Sequence, residues 1–331
     1  AAKKHKVIIV IDNSSEGFPL IVHGVDAFKE MHQVMKNLNL PANSVLLIDN
    51  NKKLIEQYNK WCIENHILPV FDHIDFLTGF YYFHNRVPEK PLLEYAINNP
   101  KSKDFLSMNR TARLHRVEHL YTIAKKGLLS KGLVSGNYTN CFDDDTVPNS
   151  IIKKVCDTDY QNILRSICPL NIDGDWTEEN PDHYGDCLFN HDLYKRSLIS
   201  FVTETAFHQE GLFITEKVFK PIVAGQPFIV LGQPFFLKEL KKMGYRTDFP
   251  GIDQSYDDIV DPIKRFDAVH SSLEKWTKYD RDIQIRLLKE SIPIVEHNLE
   301  LYKSHDYEIE SFQNLFKKIH KMFRDEKSKL C

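Results

Sequence analysis

The sequence lacks the features that identify membrane, nucleic-acid-binding, zinc-binding, disulfide-rich and secreted proteins. No apolar run approaches the roughly 18 residues that cross a bilayer, and a net charge of −3 provides no basic field for nucleic acid or an anionic membrane. The six cysteines include no CxxC pair, which argues against a zinc site or a disulfide framework. The basic amino terminus leads into a strand pattern and not into a signal peptide. We therefore expect a cytoplasmic protein with no membrane span and no nucleic-acid partner.

A glycine-rich GxGxxG loop is also absent, so the sequence indicates no dinucleotide site. Strand and helix patterns nevertheless alternate from the start of the chain. Short β-branched runs predict strands, and longer segments with helical periodicity separate them. In chain order these are a strand at 7–11, a helix at 25–38, a strand at 45–48, a helix at 54–65 and a strand at 68–71. This order is typical of a Rossmann-like α/β domain with a parallel sheet.

Prolines and polar residues between 86 and 103 are typical of a linker, and a length of 331 residues favours two domains. Beyond the linker the pattern predicts a strand at 103–108 and an irregular stretch at 134–192. Helical periodicity then dominates from 262 to 278 and from 281 to 323. The second half therefore predicts another α/β domain that ends in long helices.

The clearest single unit of the chain lies between residues 197 and 234. An apolar run there predicts a buried strand that ends at Glu204, and a polar loop with His208 and Glu210 follows it. Thr215 is positioned to cap a short helix that opens with Glu216 and Lys217. Pro221 predicts a kinked or two-piece helix, Gly225 ends it, and residues 228–231 predict a second buried strand. Ligands of open α/β sheets bind at the edge where such strands end.

This unit resembles the donor-binding motif of the α1,3-fucosyltransferases. The resemblance lies in an acid after a strand, Thr-Glu-Lys at a helix start, and a following Ala-Gly and Val-Leu-Gly strand. It implies that Glu216 contacts the ribose of a nucleotide and that Lys217 contacts its pyrophosphate. We expect Glu204 to help hold the same donor, and His208 and Glu210 to contact its sugar. The loop from Glu204 to Glu216 is slightly longer than in that family, and Thr205-Ala206 replaces its Asn-Ser.

Three arginines form a second signal, because Arg110, Arg113 and Arg116 stand at the start of a predicted helix. Cations at a helix N-terminus oppose the helix dipole by about 0.3–1 kcal/mol each, so their clustering is favourable if an anion binds there. Arginine suits this task because its planar fork pairs with phosphate oxygens. We interpret the cluster as a clamp for a diphosphate shared with Lys217, with Arg113 as the first candidate. A solvated helix face is the alternative interpretation.

Positive groups around a departing nucleoside diphosphate stabilise its negative charge without a metal. We therefore expect a metal-independent enzyme with no cofactor. The rival is a metal-dependent transferase in which Asp143, Asp144 and Asp145 form a DxD motif. Those aspartates follow no clear strand, and a solvated acidic loop is the simpler interpretation of them.

A sugar transferase also needs a general base near the acceptor hydroxyl. Glu16, in the loop after the first strand, is our candidate, with Asp12 and Asp72 as alternatives. The glutamate spacing of a retaining enzyme is absent around Glu210 and Glu216, which favours inversion of configuration.

Together these observations predict a GT-B glycosyltransferase, in which two Rossmann-like domains face a cleft and C-terminal helices cross back. The predicted acceptor domain covers 1–95, the predicted donor domain covers 96–304, and the helix at 305–331 is expected to pack on the first domain. The enzyme would move a hexosyl, fucosyl or pentosyl group from a GDP- or UDP-linked sugar to a hydroxyl of a glycan. A non-catalytic nucleotide- or phosphosugar-binding module and an epimerase that uses His208 are the other hypotheses.

Overall fold

A computed structural model describes the protein at residues 8–13, 21–22, 25–42, 44–75, 83, 86–138, 157–172, 189–209, 211–304 and 307–324. The chain divides into two compact units. Unit 1 consists of Ala1–Tyr81, Glu210–Ile214 and Asp306–Cys331, and unit 2 consists of Tyr82–Gln209 and Thr215–His305. The division therefore falls between Tyr81 and Tyr82, within the segment that precedes the predicted linker.

The described residues form nine strands and eleven α-helices. The elements up to the middle of the chain are β1 (Ile9–Asn13), β2 (Ile21–Val22), β3 (Val25–Asp26), α1 (Ala27–Asn37), β4 (Val45–Asp49), α2 (Leu54–Glu64), β5 (Phe71–Asp75), α3 (Leu93–Asn98), β6 (Lys103–Asn109), α4 (Leu114–Lys125), β7 (Gly132–Gly136) and α5 (Thr158–Ile167). The later elements are α6 (His191–Lys195), β8 (Ser197–Thr203), α7 (Glu216–Ala224), β9 (Phe228–Leu231), α8 (Phe236–Lys242), α9 (Pro262–Lys278), α10 (Arg281–Ser304) and α11 (Tyr307–Arg324).

Unit 1 is built on a parallel sheet of order β1-β4-β5, with β2 and β3 as a separate antiparallel pair. All five residues of β4 are buried, as expected for the central strand of a covered parallel sheet. Helices α1 and α2 contribute Phe28 and Tyr58 to the core, and the Tyr58 ring stacks on Phe71 with centroids 3.7 Å apart. The predicted alternation of strands and helices in this region is confirmed.

The position predicted for the third strand is wrong by several residues. β5 begins at Phe71, whereas the prediction ended there, and Leu68 is 83 % exposed. Asp72 and His73, expected in a loop, pair within the sheet with Leu46 and Leu47. The backbone amide of Val70 donates to the hydroxyl of Tyr58, which fixes where the chain enters the strand.

Two distant segments complete unit 1. The residues from Gly211 to Ile214 lie at the carboxyl end of β4, where Asn50 donates to the Ile214 carbonyl at 2.7 Å and the Leu212 amide donates to Asn51 at 3.0 Å. Helix α11 packs on β5, and Lys318 forms an ion pair with Asp72 at 2.7 Å. Part of the loop that follows β8 therefore belongs structurally to unit 1.

Unit 2 is built on a parallel sheet of order β7-β6-β8-β9. Helices α3, α6 and α7 pack on one side of β8, whereas α4 packs on β7 and α9 on β9. The segment interpreted as a linker contains α3, in which Leu93 and Ala96 are fully buried. Similarly, the stretch expected to be irregular contains α5 and overlaps the end of β7 and the start of α6. Proline-rich composition was misleading here because Pro88 and Pro91 precede α3 and Pro100 follows it, so none of them interrupts the helix.

Helix α7 has the ends that the sequence predicts. Thr215 is its N-cap and accepts a hydrogen bond from the Lys217 amide, and Gly225 follows it in the left-handed conformation with φ of 62°. Of the two forms predicted at Pro221, the two-piece helix is wrong, because the nine residues from Glu216 to Ala224 form one helix. Eight of these nine residues are buried, so packing favours the helix and offsets the one missing amide donor.

Candidate functional site

Strand order in unit 2 reverses between β6 and β8. β7 follows β6 in sequence and pairs on one side of it, while β8 pairs on the other side. In open parallel sheets the crevice at such a reversal, outside the carboxyl ends of the strands, is where ligands bind. Here those ends are Asn109 of β6 and Thr203 of β8.

A cavity of about 300 Å³ lies at this point, between the sheet and helices α6 and α7. β6 contributes Leu106 and Met108 to it, and β8 contributes Ser200 and Val202. The remaining lining residues are Arg110, Thr111, Arg116, Phe189, Asn190, Leu193, Tyr194, Phe201, Thr203, Glu216, Lys217, Lys220 and Pro221. Helix α7 therefore places the Thr215-Glu216-Lys217 motif at the switch point of the sheet.

Positive charge dominates among the described residues that line the cavity. Arg110, Arg116, Lys217 and Lys220 are cationic, and Glu216 is the only carboxylate among them. The net positive charge of these side chains favours an anionic ligand. Its effect is strong because solvent screens charges less in a partly closed cavity than on an open surface. The N-terminus of α7 adds the positive end of a helix dipole to the same side.

Glu216 and Lys217 form an ion pair at the start of α7. Lys217 Nζ lies 2.6 Å from Glu216 Oε1 and donates to the hydroxyl of Thr205 at 3.0 Å. Burial acts to raise the pKa of Glu216, yet the adjacent Lys217, aided by Lys220, holds this pKa below its ordinary value. Glu216 is therefore a stable carboxylate that can accept hydrogen bonds from hydroxyl groups.

Glu204 lies behind this pair and does not line the cavity. Its side chain has no solvent exposure, and Oε2 accepts the hydroxyl proton of Thr215 at 2.5 Å. Among the described residues, Oε1 has no hydrogen-bond partner. Burial, opposed by Lys217 and Thr215, raises the pKa of Glu204 from 4.5 to about 7. Glu204 therefore acts on the N-cap of α7, and the contact with a ligand expected for it is indirect.

The three arginines have three different environments. Arg110 is exposed and lines the cavity, whereas Arg113 is the half-buried N-cap residue of α4 and does not line it. Arg116 is 4 % exposed, and its guanidinium donates to the backbone carbonyls of Thr111, Thr203 and Glu204 at 3.1–3.3 Å. Arg110 thus replaces Arg113 as the arginine best placed for a ligand, and Arg116 fixes the end of β8 to the start of α4.

Other predicted site residues lie elsewhere. His208 is half-buried, with its ring edge-on to Phe207, and does not line the cavity. Asp12 lies in β1 of unit 1, and Asp72 is paired with Lys318. Glu16, Glu210 and the aspartates at 143–145 lie outside the described residues.

The sequence did not indicate Tyr194, Asn190 or Lys220 as site residues, although all three line the cavity. Asn190 caps α6 by accepting the Asp192 amide at 3.0 Å. Lys220 lies four residues, or about one helical turn, after Glu216, so both face the same side of α7. That spacing was the one available signal for Lys220.

A chain of hydrogen bonds extends from the carboxyl edge of the sheet into the layer of α4 and α9. Thr203 donates to Asn109 at 2.5 Å, and Asn109 donates to Ser107 at 2.9 Å. The chain continues through His119 to His270 by two contacts of 3.0 Å.

The hydrogen bond at His270 determines which group donates in each of the other hydrogen bonds. His270 Nδ1 lies 2.8 Å from the Phe266 carbonyl, which accepts only, so Nδ1 carries the proton. The other nitrogen of neutral His270 then accepts from His119, which in turn accepts from Ser107. In each hydrogen bond of this series, the donor is therefore the group nearer to Thr203.

Comparison of the chain with protein-family models, with curated proteins and with solved structures found no match. Within the described residues there is no group of three or more His, Cys, Asp or Glu side chains that could hold a metal ion. A search of the same residues for a helix long and apolar enough to cross a bilayer also found none. The fold and the cavity thus define an α/β protein with an anion-favouring cavity at the switch point of a parallel sheet.

Proposed function

We propose that the protein is a GT-B glycosyltransferase that moves a sugar from a nucleoside-diphosphate sugar to a hydroxyl of a glycan acceptor. The observation that carries this proposal is the cationic cavity at the switch point, where α7 presents Glu216 and Lys217. A nucleoside diphosphate matches this site because it combines an anionic group with hydroxyl donors.

The mouth of the cavity is its end at the carboxyl edge of the sheet, where Arg110, Glu216 and Lys217 line it. Each of these groups has a specific role in the proposed reaction. Lys217 and Arg110 contact the diphosphate, and the carboxylate of Glu216 accepts the ribose hydroxyls. Negative charge grows on the diphosphate as the bond to the sugar breaks, and fixed cations stabilise that charge more than the ground state. The reaction proceeds with inversion and needs no metal ion.

Activation of the acceptor falls to a carboxylate of unit 1, with Glu16 as the first candidate and Asp12 and Asp72 as alternatives. A general base typically contributes about 10²–10⁴-fold to the rate. The corresponding amide variant should therefore reduce kcat by a factor in that range without changing the affinity for the nucleotide. A normal kcat in each of the three variants would show that these carboxylates are not the base.

A thermal-shift experiment tests the proposed donor. The wild type is heated with GDP, UDP, ADP, CDP or inorganic diphosphate, with EDTA or with Mg²⁺. A ligand at 100 times its Kd stabilises a protein by about 2.7 kcal/mol. We expect a shift with at least one diphosphate in EDTA, and its loss in Lys217→Ala. Lys242→Ala is the control, since Lys242 is exposed and pairs with Glu239 of its own helix.

Two results would contradict the proposal. A shift that requires Mg²⁺ and is unchanged in Lys217→Ala would favour the metal-dependent alternative at residues 143–145. Binding without transfer or release of any sugar, in the presence of a panel of glycan acceptors, would favour a non-catalytic binding module.

A further inference from the structure

Two glutamates at the start of α7 share one lysine. Lys217 Nζ lies 2.6 Å from Glu216 Oε1 and 3.5 Å from the hydroxyl oxygen of Thr215. That hydroxyl lies 2.5 Å from Glu204 Oε2, so Nζ is within about 6 Å of this second carboxyl group. An ammonium at such a distance still stabilises an ionised carboxyl group. The two carboxyl groups therefore compete for one positive charge, and Glu216 has the closer contact.

Of the two glutamates, Glu204 is the one that solvent does not reach. It has no solvent exposure, and Oε1 has no hydrogen-bond partner among the described residues, whereas Glu216 lines the cavity. An ionised carboxylate in such a position lacks the hydration that it has in water. Burial raises the pKa of Glu204 to about 7. Burial also acts to raise the pKa of Glu216, but Lys217 holds it below its ordinary value. Near neutral pH, Glu204 is therefore the carboxyl group that can change its charge.

Helices α4 and α9 also bring charged or titratable groups close to Glu204, and these groups contact backbone atoms. His115 Nε2 lies 2.8 Å from the Glu204 carbonyl, and the Arg116 guanidinium donates to the same carbonyl at 3.2 Å. Burial, and then Arg116, hold the pKa of His115 well below 6.5, so its ring is neutral. Arg265 donates at 3.0 Å to the carbonyl of Gly232, which lies beside the Glu204 side chain. These groups keep their charge near neutral pH, so the Glu204 carboxyl group responds to the charges at the mouth.

An anion bound at the mouth changes the balance between these charges. It is attracted to Lys217, and it repels both carboxyl groups when they are ionised. Glu216 keeps its ion pair and can also accept hydrogen bonds from ligand hydroxyls. Glu204 accepts from Thr215 and from the Thr205 amide through Oε2 alone, which leaves Oε1 to carry a proton. Protonation at Oε1 therefore removes the excess negative charge and leaves the N-cap contact of Thr215 in place.

We propose that Glu204 is a positioning residue that takes up a proton from the solvent when a diphosphate binds at the mouth of the cavity. The inference rests on the proposed diphosphate site and adds a proton to what this site binds. The bound form holds this proton more strongly than the free form. The affinity should therefore be highest in mildly acidic solution and should fall as the pH rises above 7.

Calorimetric titration of inorganic diphosphate tests the inference between pH 6 and 9 on three proteins. These are the wild type, Glu204→Gln, whose amide oxygen can still accept from Thr215, and the control Glu300→Gln. Glu300 is exposed and pairs with Lys303 of its own helix. Over this range we expect the affinity of the wild type and the control to fall about tenfold more than that of Glu204→Gln. Comparison with Glu204→Gln cancels the titration of the ligand itself.

The same titrations at pH 7.5, repeated in buffers of different ionisation enthalpy, count the protons. We expect the wild type and the control to take up about half a proton more per bound diphosphate than Glu204→Gln. An infrared difference spectrum of the wild type provides a second measurement that needs no variant. Addition of inorganic diphosphate at pH 7.5 should replace a carboxylate band with the band of a protonated carboxyl group.

The outcomes separate the inference from the proposed function. Diphosphate binding with equal proton uptake and equal pH dependence in the wild type and Glu204→Gln would overturn the inference while the diphosphate site stands. If Glu204→Gln does not fold, binding without a new carboxyl band in the wild type would overturn it. Absence of diphosphate binding to the wild type at every pH would overturn the proposed function, and the inference with it.

Discussion

Thr215 donates its hydroxyl proton to Glu204 over 2.5 Å, so a carboxyl group without solvent exposure holds the N-cap of α7. The same threonine oxygen accepts the Lys217 amide. One side chain thus joins the end of β8 to the helix turn that carries Glu216 and Lys217. Geometry at the mouth of the cavity depends on this link.

The raised pKa of Glu204 makes stability depend on pH. Because burial raises this pKa from 4.5 to about 7 in the folded protein, the neutral carboxyl stabilises the fold fully below pH 4.5. That contribution is lost as the pH rises through 7. We expect the wild type to lose on the order of 3 kcal/mol between pH 4.5 and 8 relative to Glu204→Gln, measured by urea unfolding. Parallel pH curves for the two proteins would contradict this prediction.

Buried His119 should have the opposite effect of Glu204 on how the free energy of unfolding varies with pH. Burial, and then its neighbours His270 and His115, hold the pKa of His119 well below 6.5. The unfolded chain therefore binds a proton that the folded chain does not, and stability falls as the pH drops below 6.5. We expect a slope of up to about 1.4 kcal/mol per pH unit from this residue, which His119→Gln removes. The half-buried His297 serves as the control in His297→Gln, and an unchanged acid slope in His119→Gln would contradict the prediction.

Alanine variants of the three arginines should differ in their effects on diphosphate binding and on the free energy of unfolding. We expect Arg110→Ala to weaken inorganic diphosphate about tenfold, since a charge-assisted hydrogen bond is lost. Arg113→Ala, outside the cavity, should stay within about twofold of the wild type. Arg116→Ala should instead reduce the free energy of unfolding by about 2–4 kcal/mol, because three backbone carbonyls lose their donor, two of them in the buried residues Thr203 and Glu204. A larger binding effect for Arg113 than for Arg110 would refute this ranking.

Two glycines in the left-handed conformation provide a matched test of packing. Gly127 has φ of 68° and nothing within 4 Å of an added Cβ, whereas at Gly225, with φ of 62°, that atom would lie 2.6 Å from Cβ of Pro91. Gly127→Ala should cost about 1 kcal/mol of unfolding free energy from backbone strain alone. We expect Gly225→Ala to cost at least twice as much, measured by chemical denaturation. Equal costs would show that Pro91 moves aside.

Local signals in the sequence were sufficient for the elements that carry the motif. An N-cap such as Thr215 and a left-handed glycine such as Gly225 depend on a few neighbouring residues, so both ends of α7 were predictable. The buried runs of β4, β8 and β9 were predictable for the same reason. Apolar character alone did not predict the third strand correctly. Leu68, included in the prediction, is exposed, and β5 itself has polar side chains that make ion pairs.

Long-range partners explain what could not be predicted in the site. Arg116 was expected in a diphosphate clamp, with a solvated helix face as the alternative. The carbonyls that accept from it instead come from Thr203 and Glu204, almost ninety positions away. Tyr194 has no local pattern around it, and its importance comes only from the cavity that α6 and β8 enclose. Such roles depend on the fold, which a linear pattern does not contain.

The membership of residues 210–214 in unit 1 bears on how the protein can be cut into fragments. A fragment from 82 to 305 would keep these residues but lose Asn50 and Asn51, which bond Ile214 and Leu212. Phe213 and Ile214, at 7 % and 0 % exposure, would then become accessible directly before the N-cap of α7. Recombinant production of unit 2 alone therefore requires replacement of this insert with a short polar loop.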